Sequence, residues 1–197
     1  MTKPDLRSTL LAALNQGGGE SSDFDLNPDV TLPEDRVLRP AAVLIGVTED
    51  ARVILTKRSA RLKHHPGQIA FPGGKMDDAD IDLADTALRE ANEEIGLPRH
   101  QVEILGQLPA HETVTRFSAT PVVGLIHGEF TIQAEQGEVA EVFSVPLKNV
   151  TNPAEFHVER RRWQGKWRHY YTVPFGPYYI WGATARMLHG LADRMNA

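Results

Sequence analysis

The chain has 197 residues, enough for one domain of ordinary to large size, and 41% hydrophobic against 24% charged residues allow a sizeable core rather than disorder. A formal charge of −5 argues against a general nucleic-acid binder, which favours a basic face, but a few local Arg and Lys still suit a small phosphorylated substrate. With no cysteine, disulfides, thiolate metal sites and a cysteine nucleophile are excluded, and a cytoplasmic protein is expected.

No signal-peptide core follows the first residues, and apolar runs such as 41–47 are too short to span a bilayer, so no membrane partner is expected. Residues 6–14 read as a short amphipathic helix, and the Gly- and Ser-rich stretch 16–22 as a flexible connector. The domain organisation expected is this helix and connector over 1–36, then a compact domain over 37–197. Residues 41–47 have the pattern of a buried strand, 52–56 of its returning partner, and 68–71 of a short strand running into Pro72-Gly73-Gly74. Residues 82–95 predict a helix in which Ala84, Ala87, Leu88, Ala91 and Ile95 form one apolar face, with Gly96 and Pro98 ending it. Further strands are expected at 102–108, 119–126 and 139–145, a short helix or turn from Pro146, a hairpin of 156–163 with 166–173 about Gln164-Gly165, and a helix over 179–195. The sum is a mixed α and β chain with strands in the majority, hence a mixed sheet covered by helices.

The chemistry concentrates between Gly73 and Leu97. On a helix, Glu90 and Glu94 share a face and Glu93 lies close to it, so three carboxylates converge while alanines face the core. Such like charges repel unless a hard divalent cation joins them, and Mg²⁺ takes oxygen ligands while bridging to substrate phosphates. Arg89 beside them is placed to pair with Asp85 or Glu93, or to orient a glutamate, and Gly73-Gly74 lets backbone approach a ligand closely. Taken alone, an Arg-Glu-x-x-Glu-Glu segment is better explained by a solvated helix face.

The longer pattern is more specific. Gly74, Asp80 and the run Arg89-Glu90-Ala91-Asn92-Glu93-Glu94-Ile95-Gly96-Leu97 resemble the Nudix box, G-x5-E-x7-R-E-U-x-E-E-x-G-U with U aliphatic. Asp80 stands where the first glutamate is expected, eight residues rather than seven separate it from Arg89, and Ala91 is small for the aliphatic position. Upstream, Ile54-Leu55-Thr56-Lys57-Arg58-Ser59 through Arg61, Lys63, Gly67 and Phe71-Pro72-Gly73-Gly74 resembles the signature of the coenzyme A diphosphatase subgroup, with Lys63 in place of an arginine. The resemblance implies an α/β/α sandwich around a central mixed sheet. It also implies hydrolysis of the diphosphate of coenzyme A or its thioesters to 4′-phosphopantetheine, or its acyl form, and adenosine 3′,5′-bisphosphate.

For the residues, the resemblance implies Mg²⁺ or Mn²⁺ held by Glu90 and Glu94, with Glu93 direct or through water and a backbone carbonyl at Gly73 or Gly74 completing the shell. Arg89 orients the cluster, and Glu93 or the more distant Glu138 activates water. Arg58, Ser59, Lys63 and Gly73 are the expected substrate contacts. His64 and His65 are adjacent and do not point the same way, which argues against metal ligation. Ser59 lacks visible His-Asp support and is not a nucleophile. Trp163, Trp167, Tyr170 and Tyr171 are read as core or interface residues. The competing readings are a related enzyme acting on ADP-ribose, a nucleotide sugar or a dinucleotide, and a non-catalytic nucleotide sensor. A homodimer is left open.

Overall fold

The computed structural model describes residues 5–33, 35–163 and 165–197. In chain order its elements are α1 (Leu6–Leu14), β1 (Ser21–Ser22), β2 (Arg39–Thr48), β3 (Arg52–Arg58), β4 (Ile69–Ala70), β5 (Gly73–Lys75), α2 (Leu83–Ile95), β6 (Val102–Gln107), β7 (His111–Glu112), β8 (Phe117–Ile126), β9 (Val139–Pro146), α3 (Leu147–Val150), β10 (His157–Trp163), β11 (Lys166–Thr172) and α4 (Ala183–Met195). Among the described residues, β1 to β9 join one mixed sheet with β2 beside β8, while β10 and β11 make a separate hairpin. β2 runs parallel to β8 over Arg39 to Thr48 and antiparallel to β3 and β5.

A parallel pair at the centre of a sheet is covered on both faces, and β2 reads accordingly as a nearly continuous apolar run. Its alternate side chains serve two cores. Ala42 and Leu44 pack with Ala87, Ala91 and Ile95 of α2, whereas Ala41, Ile45 and Val47 belong to the core that holds Leu10 of α1 and Leu188 and Leu191 of α4. This is the expected helix–sheet–helix sandwich.

Two expectations need correction. Within the supposed connector 16–22, Ser21 and Ser22 form β1, parallel to His111 and Glu112. The physical reason is His111, wholly buried, whose ring nitrogens meet Ser21 Oγ at 2.9 Å and Asp23 Oδ1 at 3.1 Å. The last helix starts at Ala183, not 179. Residues 180–182 instead pair with the hairpin: Val173 N–H donates to Ile180 O at 2.9 Å, and Gly182 N–H to Tyr171 O at 3.0 Å. Among the described residues, no helix is long and apolar enough to cross a membrane.

Candidate active site

The site is built where the Gly-Gly strand lies against α2. β5 pairs with β2 so closely that a Cβ on Gly73 would fall 2.6 Å from Val43 Cα. A Cβ on Gly74 would run into the carboxylate of Glu90. Gly73, packed against backbone, therefore requires glycine, while a side chain at Gly74 would displace the Glu90 carboxylate, so bare backbone faces the acidic side of the helix. α2 is fixed at one end by Asp82, whose side chain accepts from Asp85 N–H at 2.8 Å, and stops at Gly96 in the left-handed region at φ 73°.

Arg89 ties the loop to the helix. Its Nε and Nη2 donate to both oxygens of Asp80 at 2.8 and 3.0 Å, and Nη2 also reaches Lys75 O at 3.1 Å. Nη1 donates to Glu90 at 2.9 Å and Glu93 at 3.1 Å. The expected alternative partner Asp85 pairs with Arg99 instead. Asp80 further accepts from Asp77 N–H and from the Thr86 hydroxyl, both at 2.9 Å. The Arg89 hydrogen bonds hold the Asp80 carboxyl well below the usual carboxylate range. Sequence reasoning saw an acid at Asp80 but missed this fork and Thr86. A threonine in the first turn of an otherwise apolar helix face was the available signal.

The three helix carboxylates have different surroundings. Glu94 is buried, and the Gly73 N–H donates to it at 3.4 Å. Burial first, then the charge of Glu90, push its pKa up to about 8, against the opposing pull of Arg58 and Gly73. Burial also raises Glu90, with Arg89 opposing and the charges of Glu93 and Glu138 adding. Glu93 lies at the solvent edge with 57% of its side chain exposed, held by Arg89. Glu90 and Glu94 thus meet at the Gly-Gly loop with Glu93 alongside. Among the described residues, no three acidic or histidine side chains are gathered tightly enough to form a metal cage.

A buried acid, Glu94, and a partly buried one, Glu90, offer hard oxygen atoms with ionisation suppressed by burial and mutual repulsion, and nevertheless fit a divalent cation such as Mg²⁺ or Mn²⁺ that keeps waters and takes further ligands from a substrate. Ionised, the pair would donate from one wall of the loop.

The upstream segment is brought to the same place. A register shift between Lys57 and Arg58 re-aims the end of β3. Arg58 Nε is buried with no hydrogen-bond partner, and its charge bears on Glu94. Ser59 is buried in a turn, its hydroxyl accepting from Arg61 N–H at 3.3 Å and its own N–H donating to Glu138 O at 2.7 Å. Glu138, directly before β9, is exposed. Lys63 is exposed in the loop between β3 and β4.

A NUDIX domain profile matches residues 37–166. The chain is 42% identical over 156 residues to an uncharacterized Nudix hydrolase NudL of Citrobacter koseri, covering 78% of this chain and 81% of that protein. It is 39% identical over 185 residues to the NudL of an Enterobacter species, covering 85% and 94%. Among solved structures, the NUDIX domain of Shewanella oneidensis NrtR, complexed with ADP ribose, superposes with a TM-score of 0.50 at 17% identity, covering 88% of this chain and 97% of that one.

Proposed function

The chain belongs to the Nudix family of hydrolases, which act on pyrophosphate bonds, and from that premise we propose that its substrate is coenzyme A or a coenzyme A thioester. The observation that carries this reading is Arg58. In the segment resembling the coenzyme A diphosphatase signature, it has a buried Nε without a hydrogen-bond partner, and its charge bears on Glu94. A guanidinium there complements a diphosphate lying across the Glu90–Glu94 wall.

In this reading Glu90 and Glu94 hold Mg²⁺ or Mn²⁺, with a backbone carbonyl at Gly73 or Gly74 as a further donor. When bound, the ion supplies Lewis-acid polarisation and charge neutralisation at the diphosphate oxygens. Arg89, locked onto Asp80, keeps Glu90 and Glu93 in place. Arg58, Lys63 and the Gly73 backbone bind the substrate, and Ser59 shapes the turn that presents them. Glu138 positions water and takes its proton, because its charge is felt by both Glu90 and Glu94 whereas Glu93 is engaged by Arg89. Water adds to one phosphorus and the bridging P–O bond breaks, leaving 4′-phosphopantetheine, or its acyl form, and adenosine 3′,5′-bisphosphate.

The test is a panel of coenzyme A, acetyl-coenzyme A, ADP-ribose and NADH with Mg²⁺, products identified by mass. Coenzyme A species are expected to be cut at the diphosphate. Rapid cleavage of ADP-ribose or NADH with coenzyme A intact overturns the substrate assignment. Glu94→Gln is expected to lower turnover roughly a thousandfold, since metal-ion charge stabilisation is worth several kcal/mol. Near-normal turnover in the folded variant would sink the ligand role of Glu94.

A further inference from the structure

The β10–β11 hairpin carries chemistry that the diphosphate site does not use. Side chains alternate between the faces of a strand, so Glu159, Arg161 and Trp163 share one face of β10 while Val158, Arg160 and Arg162 share the other. On the first face Arg161 lies directly opposite Arg168, and Trp163 opposite Lys166. Like charges directly across a sheet repel unless an anion joins them. The carboxylate of that face, Glu159, accepts the Tyr179 hydroxyl at 2.6 Å. Among the described residues, no acidic side chain forms an ion pair with Arg161 or Arg168. Arg168 Nη1 is buried and without a hydrogen-bond partner.

Arg161 is also held in place. Its guanidinium lies 4.4 Å from the ring centre of Trp181 and 5.3 Å from that of Trp163. Tyr170 meets Trp181 edge-on at 5.1 Å. A short path leads from there to the diphosphate end. Gly182, next to Trp181, faces the side chain of Gln68, to which an added Cβ would come within 3.6 Å. The Gln68 carbonyl in turn accepts the Arg58 N–H at 2.9 Å. Both arginines bear on His65, whose pKa is lowered by burial first and then by the charge of Arg58, with His64 and Arg161 adding and Asp23 opposing.

We propose that Arg161, with Arg168 beside it, receives a second anionic group of the substrate: a phosphomonoester on the ribose, remote from the diphosphate that is cut. This deepens and rests on the coenzyme A reading, because coenzyme A carries a ribose 3′-phosphate and ADP-ribose and NADH carry none. Stacking on indole rings leaves the N–H edge of a guanidinium free for the forked hydrogen bonding that suits a phosphate.

The experiment is a calorimetric titration of the full chain with adenosine 3′,5′-bisphosphate and with AMP. The bisphosphate is expected to bind the unmodified protein roughly 10- to 100-fold more tightly, as hydrogen bonds to a charged group warrant. Arg161→Ala is expected to erase that advantage and leave AMP affinity unchanged, with Arg161→Lys retaining part of it. Arg160→Ala, on the opposite face, is expected to retain all of it. In turnover, Arg161→Ala should raise KM for coenzyme A but not for dephospho-coenzyme A. Equal affinity for the two nucleotides in the unmodified protein, an undiminished advantage in Arg161→Ala, or an equal loss of both nucleotides overturns the proposal. If Arg161→Ala does not fold, the same comparison is made with Arg161→Gln, judged by the same outcomes. A bisphosphate advantage that depends on Arg161, with no hydrolysis of coenzyme A, would refute the substrate reading alone.

Discussion

A carboxyl group buried beside another carboxylate stays protonated longer than a free one, and Glu94, raised to about 8, binds a proton that the unfolded chain has already released. Between the unfolded pKa of about 4.3 and the folded value near 8, the folded protein therefore holds more protons, and stability falls as pH rises. Thermal unfolding of the metal-free protein should show that decline from pH 5 to 8. Glu94→Gln should flatten it and stabilise the metal-free protein at pH 8 by roughly 4 kcal/mol. Cation binding needs the ionised form, so the affinity for Mg²⁺ should increase through the same window, with proton release on binding. Asp80 has the opposite sign. Its pKa is depressed by Arg89, so its contribution is present above about pH 4 and is lost as pH falls below that. Asp80→Ala strands the Arg89 fork and should cost roughly 2 to 3 kcal/mol in urea unfolding at pH 7, as expected for a buried charged group losing its partner. The nearness of Asp80 and Arg89 along the chain hints at this pairing. Helical spacing found Glu93, which Arg89 does meet, but offered Asp85 in place of Asp80, because it cannot see a loop folding back onto the helix.

At the scale of elements, α2 was legible almost to the residue because local signals agree. Asp82 caps it, apolar residues recur at helical spacing, and Gly96 adopts a conformation that other residues resist. That stop has a second constraint. A Cβ on Gly96 would lie 2.9 Å from Gln133 Cβ, in a segment whose N–H donates to Ile95 O at 3.0 Å. Gly96→Ala should thus cost about 1 to 3 kcal/mol and shift the denaturation midpoint while leaving the folded secondary structure unchanged. The start of α4 was not legible for the converse reason. Tyr179, Ile180 and Trp181 have side chains that suit either a helix or a strand, and only pairing with Tyr171 and Val173, far from any local signal, keeps them extended. The same blindness hid Arg161. A run of arginines reads as a solvated strand until the register puts one of them between two tryptophans.

Across the whole molecule, the mixed sheet followed from the strand patterns, but the place of residues 6–27 did not, since their contacts are to partners distant in sequence. The Asn27 side chain accepts from His169 N–H at 2.8 Å and donates to His169 O at 2.9 Å, tying this region to the hairpin. His111 secures Ser21 and Asp23 to the sheet edge. Leu10 is fully buried in the core that also holds Leu188 and Leu191, although it precedes the stretch matched by the NUDIX profile. If α1 is a structural part of that core, truncating Leu10 leaves a cavity among helix and sheet side chains that cannot fully close. Leu10→Ala should then destabilise by about 2 to 5 kcal/mol, the usual range for a buried leucine, and lower the unfolding midpoint. Because Leu10 lies on the face of the sheet opposite α2, the acidic wall should be undisturbed, and kcat per folded molecule should stay close to normal at temperatures where the variant remains folded. A Leu10→Ala protein with unchanged stability would mean that α1 only rests on the core rather than completing it.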